Sequence, residues 1–259
     1  MRSVDYFLLL GVALPIVAAI VVVAARKGCF RRDRFPDERR RAWALVALGV
    51  TLAATTILPA FSLGRPIDPS RLSLGSILAL QQLLSLFLVG WWALSGRPPL
   101  REFLALETPD PVGQARLGVG VGLAGWGLTV VSSLVVLGVL RFAGVDEVRP
   151  IPPLVRWLAS QPFGSRLFLV AAAMTVEEVF FRAFLQRRIG AVSASILFVV
   201  SHGGYGDPLF FFGLLAITAV LAVTFRRTGS VVAPMVAHGV FNGVQLLVIL
   251  PSAVRLIPG

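Results

Sequence analysis

The chain has 259 residues, of which 56% are hydrophobic and only 14% charged, with a mean hydropathy of +0.84. An ordinary soluble domain carries about 25% charged residues, so a water-soluble globule is excluded, and so is a disordered chain. The net charge is +11, and 23 of the 24 basic residues are arginine.

In a soluble chain that balance would point to nucleic acid. Here the arginines cluster between apolar runs, where they face anionic lipid and fix topology, so membrane lipid is the expected partner and no nucleic acid is expected. A spanning helix takes about 20 residues. The apolar runs fall at 7–25, 42–63, 74–95, 117–142, 167–186, 191–204, 208–225 and 229–250. The expected fold is therefore all-α, a polytopic transmembrane helix bundle of about eight spans.

The first run is longer than the roughly 7–15-residue core of a signal peptide, and a basic block, Arg26 to Arg41, follows it; it is read as a retained span. Cys29, in that block, is the only cysteine, which allows no internal disulfide and no cysteine metal cluster. The paired Trp91 and Trp92 near a span end read as an interfacial aromatic belt. The fourth run contains a G-x-G-x-x-G match among Gly118, Gly120, Gly122, Gly125 and Gly127. Such a match binds a dinucleotide only between a soluble strand and a helix. Inside an apolar helix, Gly118 and Gly122 read instead as a G-x-x-x-G spacing for close helix packing.

The stretch 143–165, with Pro150, Pro152, Pro153 and Trp157, reads as a proline-rich outside loop that leads to an interfacial tryptophan. The sixth run ends in a turn signal, Gly203-Gly204-Tyr205-Gly206-Asp207-Pro208. With the N-terminus outside, fifteen basic residues fall inside and eight outside, so both termini are expected outside. The chain divides into N-terminal spans of unassigned role, 1–145, and a C-terminal membrane-embedded part, 146–259, that holds the charged and histidine-bearing runs.

Charge inside a span is expensive and marks function. The fifth run holds Glu177, Glu178 and Arg182. Glu178 and Arg182 are four residues apart, share a helix face and can pair. Glu177 is turned about 100° away and is left unpaired by that bond. The two histidines of the chain, His202 and His238, both fall in apolar runs, and Asn242 shares a face with His238. Counted from the expected cytoplasmic boundaries at 1.5 Å per residue, Glu177, His202 and His238 each lie about 15–17 Å deep, near the middle of the hydrocarbon core. If their helices are neighbours, the three side chains and Asn242 meet in one buried cavity.

The three motifs E-E-x-x-x-R (Glu177, Glu178, Arg182), F-x-x-x-H (Phe198, His202) and H-x-x-x-N (His238, Asn242), in this order on successive apolar segments, resemble the CPBP intramembrane protease family. That family includes the type II CAAX prenyl endopeptidases. The resemblance covers about residues 160–250. It implies peptide hydrolysis by glutamate-activated water without a metal, on a peptide or lipid-modified protein substrate in the cell (cytoplasmic) membrane. On that basis Glu177 activates water with His202, while His238 and Asn242 donate to the oxyanion. Glu178, Arg182 and Phe198 support them.

One glutamate and two histidines could also hold zinc with an open position. There is no H-E-x-x-H, however, and a ligating Glu177 would no longer serve as the base, so no cofactor is expected. A non-catalytic, peptide-binding membrane scaffold is the alternative function. A proton-coupled transporter ranks last, because no pair of inverted repeats with broken helices is visible.

Overall fold

The computed structural model describes residues 15, 17–62, 68–144, 152–202 and 208–256, and among these there is no strand. The expected all-α class is what the chain adopts. Residues 7–14 of the first run, the acidic residues Asp146 and Glu147, and the turn at 203–207 lie outside the described residues.

Among the described residues the α-helices of eight or more residues are α1 (Val17–Arg26), α2 (Glu38–Ser62), α3 (Ala79–Leu94), α4 (Pro111–Phe142), α5 (Pro153–Ser160), α6 (Phe163–Glu178), α7 (Ala191–Ser201), α8 (Pro208–Thr228) and α9 (Val232–Gly243). Helix α6 runs on without a break through a π-helical stretch, Val179–Gln186, and a last turn, Arg187–Ile189. Helix α9 likewise runs on through a π-helical stretch, Val244–Ile249, to Leu250–Leu256. Among the described residues, three helical segments are long and apolar enough to cross a membrane: Pro111–Phe142, Phe211–Thr228 and Val232–Leu256. The α6 rod carries Glu177, Glu178 and Arg182, and three charges lower its hydropathy although its described length suffices to cross a bilayer.

One hydrophobic cluster joins both parts of the chain. It includes Ala24, Leu48, Leu84 and Trp91 from the N-terminal helices and Phe180, Phe184, Leu197 and Leu221 from the C-terminal ones. Trp91 therefore does not form the expected interfacial belt. It is buried, and its ring meets Phe30, Phe35, Phe87 and Phe184 at centroid distances of 5.8, 5.7, 5.7 and 4.8 Å. The helical period turns Trp91 onto the same stripe as Leu84, Phe87 and Leu88, whereas Leu86 and Val89 face outward. Cys29 is free and buried in this region; burial raises its thiol pKa against the lowering pull of Arg188.

The stretch expected as a loop contains helix α5, which corrects that reading. Pro153 stands in its first turn, where a missing N–H is harmless, and Leu154 and Leu158, four apart, turn one apolar face onto Leu169 of α6. Trp157 packs at the edge of this small cluster.

The glycines of α4 pack as their spacing predicts. A Cβ on Gly118 would lie 2.6 Å from the Ala233 carbonyl oxygen, and one on Gly122 would lie 2.6 Å from that of Ala237. Helix α4 thus lies directly against the backbone of α9, a closeness that only glycine allows. Between α6 and α7 the whole link is Gly190, at φ 93° and ψ 165°, a conformation essentially confined to glycine. That one-residue link folds α7 straight back along the π-helical part of α6.

Candidate active site

Two adjacent glutamates on α6 face two different neighbours. Glu178 is fully buried and lies between Arg182 and His238. Arg182 Nε donates to Glu178 Oε2 at 3.3 Å, and His238 Nδ1 lies 2.8 Å from Glu178 Oε1. A carboxylate oxygen only accepts, so His238 carries a proton on Nδ1. Arg182, also fully buried, extends to Ser195 Oγ at 3.4 Å and to the Thr218 carbonyl at 3.5 Å. Its guanidinium lies 5.3 Å from the Phe198 ring centroid. This one side chain thereby connects α6, α7 and α8, and through Glu178 it reaches α9.

Glu177 turns the other way, as the helical period requires, and is 2% exposed. Its Oε1 accepts a 2.6 Å hydrogen bond from Gln81 Nε2 on α3. Its Oε2 faces His202 Nε2 at 3.7 Å and has no hydrogen-bond partner among the described residues. The expectation that Glu177 stands unpaired is corrected by Gln81, which reaches it from 96 positions earlier in the chain.

His202 caps α7. Its Nδ1 lies 2.8 Å from the Phe198 carbonyl and 3.2 Å from Ser201 Oγ. Since the carbonyl only accepts, His202 carries a proton on Nδ1, and its Nε2 lies on the Glu177 side. Phe198 is the spacer of the site. Its ring stacks on His202 at 4.6 Å, meets His238 edge-on at 6.0 Å and packs on Phe181 at 5.0 Å. Asn242 lies one turn beyond His238 on α9, partly buried, and its side chain makes no hydrogen bond among the described residues.

The structure thus brings Glu177, Glu178, Arg182, Phe198, His202 and His238 into one buried cluster, with Asn242 on the His238 side. The sequence spacing places Glu178 with Arg182, as found, but not His238 with Glu178. The π-helical stretch that begins directly after Glu178 was also not visible in the sequence; such segments concentrate at functional sites. Among the described residues no three His, Cys, Asp or Glu side chains group closely enough to hold a metal ion. The potential ligands separate into two pairs, Glu177 with His202 and Glu178 with His238.

The close approach of α4 sets the position of His238, since Gly122 touches the carbonyl of the preceding residue, Ala237. Gly122→Leu is expected to push α9 away, at an overpacking penalty of about 1–3 kcal/mol, and to break the His238–Glu178 contact. Thermal unfolding in detergent measures the first effect. Gly120→Leu is the control, because nothing lies within 4 Å of that position, and its melting temperature should stay at the wild-type value.

Comparison with known proteins agrees with the motifs. Residues 159–244 match the family model described as type II CAAX prenyl endopeptidase Rce1-like. All seven motif residues lie inside that segment; Gln81 lies outside it. A curated relative, "Uncharacterized protein YpbD" of Bacillus subtilis (strain 168), is 34% identical over 79 residues. Those residues are 30% of this chain and 42% of that protein, so the chain spans less than half the length of the relative. No solved structure matches. The similarity to that protease family thus covers about a third of the chain, and the described helices include three long and apolar enough to cross a membrane.

Proposed function

We propose that this protein is an intramembrane endopeptidase that hydrolyses a peptide bond of a membrane-associated protein or peptide, prenylated CAAX-type sequences included, with Glu177 activating the water. The Glu177–His202 pair carries this reading. Glu177 Oε2 has no hydrogen-bond partner among the described residues, and the His202 ring lies beside it, Nε2 at 3.7 Å. A buried carboxylate oxygen without a partner needs a donor, and a water molecule supplies one. A water molecule that donates to Glu177 Oε2 beside His202 keeps a lone pair for the substrate carbonyl carbon.

As the new C–O bond forms, a water proton passes to Glu177 Oε2. The carbonyl oxygen becomes an oxyanion and accepts hydrogen bonds from the Asn242 amide and His238 Nε2–H. Because Nδ1–H is given to Glu178, His238 has an Nε2 proton to offer only as the imidazolium. Charge balance supports that form: Arg182 and His238 as cations match Glu177 and Glu178 as anions, and the buried cluster is neutral. The C–N bond then breaks, and the proton on Glu177 goes to the leaving amine. No step calls for a metal or another cofactor. In this reading residues 146–259 hold the reaction, and the chain sits in the cytoplasmic membrane with both termini outside.

The test is cleavage of a panel of prenylated and unprenylated peptides by protein purified in detergent, read by mass spectrometry with and without chelator. Wild-type protein is expected to cut at least one peptide, and at the same rate with chelator present. Inactivation by chelator with recovery on added zinc would replace the water mechanism with a metal one. A folded protein that binds peptides and cuts none would instead be a scaffold.

A further inference from the structure

The Glu177 carboxylate is held from outside the segment that resembles the protease family. Gln81, Gln82 and Ser85 are the polar side chains of the mainly apolar helix α3; of the two glutamines only Gln81 lies on its inward stripe with Leu84, Leu88 and Trp91, and Gln82 is exposed. The Gln81 amide must present Nε2 to Glu177, since Oε1 would set an acceptor against an acceptor. The contact is 2.6 Å and joins two side chains that are 96 positions apart. It occupies Glu177 Oε1, so Oε2 is the oxygen that faces His202.

We propose that Gln81 is a positioning residue for the reaction: it fixes the rotation of the Glu177 carboxylate so that Oε2 is the oxygen presented, with His202, to the attacking water. The inference rests on the protease reading and extends it to the N-terminal spans, which otherwise contribute only packing to the site. A carboxylate without this bond turns about its last torsion, which is broad and soft. Base and water then meet in the productive geometry only part of the time. The loss falls on the chemical step and not on substrate binding.

Two measurements on the full chain in detergent test this. The first is the steady-state kinetics of Gln81→Met, which keeps the shape and removes the donor, with Gln81→Asn as the variant that keeps an amide on a shorter arm. Gln81→Met is expected to lower kcat by about 10–100-fold with KM unchanged, and Gln81→Asn by less. A purely structural role would lower the melting temperature and leave kcat per folded molecule at the wild-type value, and that result would overturn the proposal. The second is a cycle of melting temperatures over Gln81→Met, Glu177→Met and the double variant, which needs no substrate. The double variant is expected to lose less than the sum of the single losses, because it removes the stranded donor and acceptor together. Additive losses would also overturn the proposal. If wild-type protein cuts no peptide, the protease reading fails by itself, and the thermal cycle still decides whether Gln81 holds Glu177.

Discussion

Glu177→Gln is expected to reduce peptide cleavage by about 10²–10⁴-fold, the usual contribution of a positioned general base, while the protein unfolds at its wild-type temperature. The substitution keeps the shape of the side chain. Its amide oxygen still accepts from Gln81, so the 2.6 Å contact to α3 survives. What it loses is the basic oxygen opposite His202. The neighbouring carboxylate gives the contrast. Glu178→Gln is expected to destabilise the fold, because Arg182 and His238 then share a neutral partner inside the protein. Cleavage rate and melting temperature measured on both variants separate two adjacent glutamates by what they do. Full activity in Glu177→Gln would remove this residue from the reaction and leave its burial as a packing feature.

The two glutamates also show which part of the site could be read from the sequence. Spacing along one helix is local information. It gives Glu178 with Arg182, it turns Glu177 away from them, and it places His238 and Asn242 on one face. Partners across helices are not local. The sequence contains nothing that assigns His238 to Glu178, because that contact depends on how closely α9 approaches α6. The approach is set in part by Gly118 and Gly122 of α4, whose packing role is legible although the atoms they touch are not.

Gln81 belongs to no motif. Its only signal is a polar side chain on a stripe that also carries Leu84, Leu88 and Trp91. Trp91 was misplaced for a related reason. A tryptophan near a span end has the same sequence context at a lipid interface and in an aromatic core, and only the packing of Phe87 and Phe184 on it separates the two. Helix α5 was hidden by its prolines, which end helices in the interior but start them well at the first turn.

Arg182→Met is expected to be the most damaging single change to stability, about 3–5 kcal/mol, because it removes one partner of a fully buried ion pair and leaves the other. The loss exceeds one bond. Arg182 reaches Glu178 of α6, Ser195 of α7 and the Thr218 carbonyl of α8, and it lies over Phe198, the ring between the two histidines. Arg182→Lys should recover little of this, since an ammonium cannot spread planar donors over three acceptors. The double variant Arg182→Met with Glu178→Gln removes both charges. It is expected to be less destabilised than the sum of its parts, because no uncompensated ion is left in the interior. Unfolding midpoints of the four proteins in the same detergent test this. A wild-type midpoint for Arg182→Met would mean that the four helices are held by their apolar contacts alone. An additive double variant would mean that Glu178 depends on His238 and not on Arg182. In the expected case the charged cluster has two functions that share one residue. Glu178 ties Arg182 into the helix junction and holds His238 at the reacting side, so disturbing the junction disturbs the chemistry even where the Glu177 side chain is untouched.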